Sequence, residues 1–256
     1  MGYISRLVKP TPAVATMIQS NKTDFPFSAG DVICDWTSFQ VPVGTVKLES
    51  VMLLISGENG GPQTSRDLVL YFAKANEDGT APSSLGDGNT SASGTGFFNN
   101  VLGHTVLDIL NYDARLDYNS IVTASTTNSD SSMNHSNLVL ESEAQSHYNQ
   151  VGHHELYVAL VGGAACDHDF STGVLLNNAE NVSVGGTSLI TDGTHASKVF
   201  SPGDVILKHD SDTVVGTVKS VSANLITLES GSGVAISDDD ELMHQSPVKI
   251  RLGFQY

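Results

Sequence analysis

Two short clusters in this 256-residue chain combine side chains that bind metal ions. His153-His154 offers two imidazoles, and Cys166-Asp167-His168-Asp169 offers a thiolate, an imidazole and two carboxylates. These are the donor types of zinc and other first-row sites. His154-Glu155 also begins like a zincin motif, but the second His of that motif falls on Val158, and Glu155–Val161 (ELYVALV) reads as a strand. Asp210-Ser211-Asp212 and Asp238–Glu241 supply carboxylates suited to Ca²⁺, yet neither has the alternating ligands, central Gly and closing Glu of an EF-hand loop. The start of a strand, a junction and solvated turns are the simpler reading of these segments, so no metal or other cofactor is expected.

Covalent and phosphate chemistry leave equally little trace. No Gly-Lys pair occurs, which removes the P-loop. Gly-x-Ser-x-Gly is absent, and so is Gly-x-Gly-x-x-Gly ahead of a helix. Ser, His and Asp are numerous, but no spacing selects a triad. The expectation is a protein that is not an enzyme. A glycan hydrolase, which needs two carboxylates at a defined separation, is the weakest alternative.

Charge narrows the partners. The net charge is −16, with 12 basic and 28 acidic residues. Binding to a phosphate backbone needs clustered Lys and Arg that displace counterions. None is present, so neither nucleic acid nor an anionic membrane surface is an expected partner. The balance shifts along the chain. Residues 1–24 carry Arg6, Lys9 and Lys22 against Asp24, whereas residues 169–245 carry three basic and eleven acidic side chains. The basic, Pro-containing N-terminal segment reads as an arm, either frayed or laid across an acidic neighbour, which makes Arg6, Lys9 and Lys22 the candidate partner-binding residues. Met1–Arg6 lacks the apolar stretch of a signal peptide, and no apolar run approaches the length of a membrane span. Two cysteines, Cys34 and Cys166, do not make a disulfide framework and are expected to be free thiols.

The elements that would position any site are strands. Gly, Ser, Thr, Asn and Asp are abundant, and long Ala/Leu/Glu/Lys blocks are absent. Strands are expected over 30–39, over 43–55 after an interruption at Pro42, over 67–75, 101–110, 120–127, 137–143 and 155–161, and over 247–256. Within 43–55, Val46, Leu48 and Ser50 alternate with Lys47, Glu49 and Val51. Residues 76–100 read as a long loop. Trp36, the sole tryptophan, is expected in the core. Between 169 and 245 the strands are shorter and turns recur every 8 to 12 residues, the spacing of a small barrel or sandwich. The domains are therefore read as an arm (1–24), a β-sandwich (25–168 with 246–256) and a small β-barrel module (169–245) inserted before the last strand.

One phrase occurs twice. Phe27-Ser28-Ala29-Gly30-Asp31-Val32-Ile33 returns as Phe200-Ser201-Pro202-Gly203-Asp204-Val205-Ile206. Each copy is followed by Val-Gly-Thr-Val-Lys, at 43–47 and 215–219. The phrase describes a turn at Gly-Asp, a strand and a reversal. It reflects either duplication of a small unit or independent recurrence of one turn.

The segment from Phe200 through Gly216-Thr217-Val218 to Leu225-Ile226-Thr227-Leu228 resembles the SH3-like β-barrel modules of auxiliary proteins in tailed-bacteriophage virions. Gly30–Trp36 through Leu68–Ala73 is similar to the sandwich domains of the same class. The resemblance implies an all-β fold, an antiparallel, jelly-roll-like sandwich plus an SH3-like barrel. It also implies a virion structural protein, a capsid decoration or cement protein. Its partners would be the major capsid protein and further copies of itself, trimers among the oligomers. A tail, baseplate or receptor-binding component is the alternative.

Overall fold

A computed structural model describes residues 2–10, 28–56, 67–86, 100–107, 114–116, 119–125, 138–142, 152–163, 174–177, 181–193, 196–208 and 213–256. The chain is nearly all-β, with antiparallel sheets. The strands are β1 (Tyr3–Val8), β2 (Val32–Pro42), β3 (Gly44–Ser56), β4 (Leu68–Lys74), β5 (Val101–Leu107), β6 (Ala114–Leu116), β7 (Asn119–Ser125), β8 (Leu138–Ser142), β9 (His153–Gly162), β10 (Val174–Leu175), β11 (Ser188–Ile190), β12 (Val205–Lys208), β13 (Thr213–Ser222), β14 (Leu225–Leu228), β15 (Glu241–His244) and β16 (Val248–Gln255). A four-residue helix, α1 (Ala196–Val199), lies between β11 and β12.

Two sheets share the larger core. One runs β1-β16-β3-β7-β6, with β8 also paired to β3; the other runs β2-β9-β4-β5. Alternation decides which side chains meet. Val46, Leu48, Val51, Leu53 and Ile55 of β3 and Val248, Ile250, Leu252 and Phe254 of β16 face Phe39, Val41, Leu68, Leu70, Phe72, Leu156, Val158 and Leu160. Phe39 stacks on Phe254, with centroids 5.7 Å apart, and meets Phe72 edge-on at 6.4 Å, so three rings tie the sheets together.

The alternation in β3 is not the uniform one that its sequence suggests. Gly253 pairs with Ser50 and Phe254 with Leu48, so Glu49 is an extra residue opposite nothing. This bulge resets the phase and moves Val51 from the expected polar face into the core, at 1% exposure.

The remaining sheet is assembled within residues 174–244, in the order β10-β15-β12-β13-β14-β11. Its two edges meet: Leu176 bridges Thr191, and the Asn177 N–H donates to the Ile190 carbonyl at 2.8 Å. Its separate core contains Leu176, Leu189, Phe200, Ile206, Val215, Val218, Ile226 and Leu242. After β15 the chain returns to the first sheet, where β16 lies between β1 and β3.

Three expectations are corrected. Residues 3–8 of the N-terminal segment are not a free arm but a strand in register with β16, because Ile4 and Val8 bring apolar side chains to the larger core. The first copy of the repeated phrase does not lead into a hairpin. β2 pairs with β9 while β3 joins the other sheet, and the chain changes sheets at Pro42-Val43-Gly44, where Gly44 has φ +107°. In the second copy β12 and β13 do pair. Trp36 is not in the shared core. It is half-buried on the outer face of the second sheet, packed with Val32, Leu85, Ala159, Val161 and Tyr71, and its indole N–H donates to the Ser83 carbonyl at 3.0 Å. Residues 81–86 of the long loop thus cover part of that face, held by the Asp35 carboxylate, which accepts the Leu85 N–H at 3.1 Å.

Candidate functional site

The repeated phrase buries one carboxylate in each copy, Asp31 at 8% and Asp204 at 9% exposure. In both copies the Asp N–H donates to the Ser carbonyl three residues back (3.1 Å at Asp31, 3.0 Å at Asp204), and the Asp carboxylate accepts the Ser N–H (2.7 and 2.8 Å). Gly30 and Gly203 occupy the third turn position with φ +92° and +88°, values that favour glycine there. A third copy is hidden in Ser237-Asp238-Asp239-Asp240. The same two bonds form at 3.1 and 2.6 Å, and Asp239 takes the left-handed position at φ +63°. With Asp in the glycine slot, the sequence pattern does not reveal it.

Asp204 does more than close its turn. Its second oxygen lies 3.0 Å from His244 Nε2 and 3.3 Å from Lys249 Nζ. Asp204 and His244 belong to the 174–244 unit and Lys249 to β16, so the ion pair spans the return to the first sheet. Burial pushes the carboxyl up, but the His244 hydrogen bond, the Ser201 N–H and the Lys249 charge outweigh it and hold its pKa at about 2. His244 Nδ1 accepts the Ser246 N–H at 2.9 Å. Both ring nitrogens are therefore engaged. The Asp-His pair resembles half a triad in composition only, since no nitrogen remains to take a proton from a nucleophile.

The same bonds pin the connecting segment. The Gln245 N–H donates to the Val205 carbonyl at 3.0 Å, and the Ser56 N–H donates to the Pro247 carbonyl at 2.8 Å. A small polar cleft of about 90 Å³ opens beside it, with Ser56, Lys198, Ser201 and Lys249 in its wall.

Among the described residues, those singled out by sequence are not brought to this junction. His153 and His154 open β9, with His154 buried at 3% exposure. Asp238 and Asp239 are exposed in the third turn, and Asp240 pairs with Lys208 at 2.5 Å. Arg6 Nε donates to the Gln40 carbonyl at 2.6 Å and closes the side of the larger core, while Lys9 is exposed just beyond β1. Lys22, Cys166-Asp167-His168-Asp169 and Asp210-Ser211-Asp212 lie outside the described residues. Sequence reasoning found Asp204 through the repeat but had no signal for His244 and Lys249, which are 40 and 45 residues further along the chain.

The outward face of the first sheet is the other distinctive surface. Tyr3, Leu7, Met52 and Val139 stand exposed there at 71, 50, 40 and 55%. Arg251 lies between Leu7 and Met52 in the register, and Lys47 lies beside Val139. No protein-family model and no curated protein matches this chain.

Proposed function

We propose that this chain is a virion structural protein, a decoration or cement protein of a tailed bacteriophage that binds the outer shell and bridges capsid subunits by surface contact. In this reading the two sheets with a common core are a jelly-roll-like β-sandwich, and the sheet whose edges meet is an SH3-like barrel. The observation that carries the reading is the outward face of the first sheet, where Tyr3, Leu7, Met52 and Val139 stand exposed beside Arg251 and the Lys47–Glu49 ion pair, in a chain of net charge −16. Such a face binds by area, and its exposed Tyr, Leu, Met and Val side chains gain by leaving water. The acidic remainder suits the outside of a shell, because packed DNA inside would repel it. The partner is the major capsid protein. Many copies on a lattice turn modest single contacts into firm attachment.

A second reading, a tail or receptor-binding component, is favoured by one observation. Tyr71 and His104 lie side by side on the outer face of the second sheet, with ring centroids 5.8 Å apart, and Trp36 shares Tyr71's apolar cluster. Aromatic rings of this kind can stack on a receptor's sugars. Cryo-electron microscopy of particles containing the chain separates the readings. Density along the seams of the shell supports decoration. Density confined to the tail refutes it in favour of receptor binding, and absence from particles refutes both.

A further inference from the structure

Among the described strands β1 is the edge of its sheet, and half of its backbone groups point away from that sheet. Gly2 and Tyr256 exchange both backbone hydrogen bonds, at 2.8 and 3.0 Å. In an antiparallel ladder such pairs alternate with pairs that exchange none. Ile4, Arg6 and Val8 therefore bond to β16, while Tyr3, Ser5 and Leu7 turn their N–H and C=O groups outward. Among the described residues none bonds to those outward groups. Tyr3, Ser5 and Leu7 are also the exposed residues of the strand.

An open edge is commonly blunted by lysine, proline or an inward-facing charge. Lys9 and Pro10 limit this one at its far end. Between Tyr3 and Leu7 the single charged residue is Arg6, and its guanidinium is turned onto the Gln40 carbonyl rather than across the edge.

We propose that this edge is an interface between two copies of the chain, paired antiparallel about a two-fold axis through Ser5. The strand is self-complementary in that register. Ser5 faces Ser5 of the second copy, and Tyr3 faces Leu7 on both sides of the axis, an aromatic-aliphatic cross-strand pair of the stabilising kind. The three outward residues of each copy become hydrogen-bonded partners.

Charge selects the same edge. Two chains of net charge −16 repel each other, but Tyr3–Lys9 carries no acid and two cations, and Arg251 adds a third. The strand itself brings no acid to the contact, and Glu49, which lies beside Tyr3 and Ser5, is already paired with Lys47 at 2.8 Å. Its area sets the strength. Three residues and two exposed large side chains per copy bury less than the roughly 1,000 Å² of a stable complex. The pairing is weak in free solution, is strengthened by salt that screens the net repulsion, and becomes firm where copies are held side by side. It goes beyond the virion reading and stands without it.

Cross-linking tests the register in the full-length chain carrying Cys166→Ser. Ser5→Cys places two thiols about 5.5 Å apart at Cα across the axis, within disulfide reach. Tyr3→Cys places them ~13 Å apart, out of reach. The expected result is rapid intermolecular disulfide formation by Ser5→Cys and none by Tyr3→Cys. Equal cross-linking by both, or by neither, overturns the proposal. In parallel, sedimentation equilibrium up to about 0.5 mM chain should show mass rising towards the dimer, more steeply in high salt. Leu7→Lys should weaken the pairing at least tenfold with an unchanged thermal midpoint. A monomer at every concentration, or a dimer indifferent to Leu7→Lys, refutes pairing through β1.

Discussion

Asp31 and Asp204 occupy the same turn, but only Asp204 is joined by a histidine and a lysine, so replacing each by Asn separates the value of the turn from the value of the junction. At position 31 the amide oxygen of Asn can still accept the Ser28 N–H, and Asp31→Asn should cost less than about 1 kcal/mol. At position 204 one amide oxygen cannot serve both sides. If it accepts the Ser201 N–H, the amide nitrogen is left facing His244 Nε2–H and Lys249 Nζ, both donors. A carboxyl held at about 2 rather than its ordinary value near 4 represents roughly 2.5 kcal/mol at neutral pH, and partial screening of a carboxylate 10% exposed brings this to about 2. Because the native pKa is depressed, this stabilisation is complete above the unfolded value near 4 and is lost as pH falls towards 2. Urea unfolding and calorimetry of both variants from pH 7 to pH 2 provide the assay. Asp204→Asn should be about 2 kcal/mol less stable than wild type at pH 7, with the gap closing below pH 4. The reasoning fails if Asp31→Asn is as damaging as Asp204→Asn, or if the gap persists unchanged at pH 2.

Asp239→Gly should raise the thermal midpoint, since glycine relieves a φ of +63° by up to about 1 kcal/mol, while Gly203→Ala, at φ +88° with open space around it, should lower stability by about 1 kcal/mol through backbone strain alone. Gly231→Ala drives a methyl group into the backbone of Gly185 and should destabilise the 174–244 unit by roughly 3 kcal/mol in calorimetry, whereas Gly253→Ala meets the Ser50 hydroxyl, which can rotate away, and should cost less than about 1 kcal/mol. The Cys34 thiol is fully buried and its pKa is pushed far up by burial and by neighbouring Asp35, so in a Cys166→Ser background a thiol reagent should label Cys34 only as fast as the protein unfolds.

The strand content of the fold was legible because β propensity and turn chemistry are local. Leu68–Lys74 and Val248–Gln255 announce themselves by apolar residues between turn formers. The pairing of strands was less legible. The phrase shared by Ser28–Ile33 and Ser201–Ile206 encodes a turn, not what the following strand joins, and Pro42-Val43-Gly44 carries one copy into a different sheet. The Glu49 bulge was invisible because an extra residue changes phase only relative to a partner strand. At the junction, sequence offered Asp204 as a turn residue. His244 and Lys249 reach it only through the pairing of β12 with β15 and the return of β16, which are long-range facts. Trp36 misled for a related reason: a strand tryptophan can face either side of a sheet, and residues 81–86 made the outer side dry enough to hold it.

The position of β16 has a consequence for the order in which the molecule is made. This strand separates β1 from β3 in the finished sheet, yet it follows the whole 174–244 unit in the chain. During synthesis β1 and β3 emerge early and wait, without the strand that joins them, while the later unit is translated. Among the described residues the strands of that unit pair only with one another, so it can fold first, whereas the larger core closes only when Val248–Gln255 arrives. Until then the apolar side chains of β3 are exposed along one edge. The interval between β3 and β16 is when this chain most needs protection from aggregation.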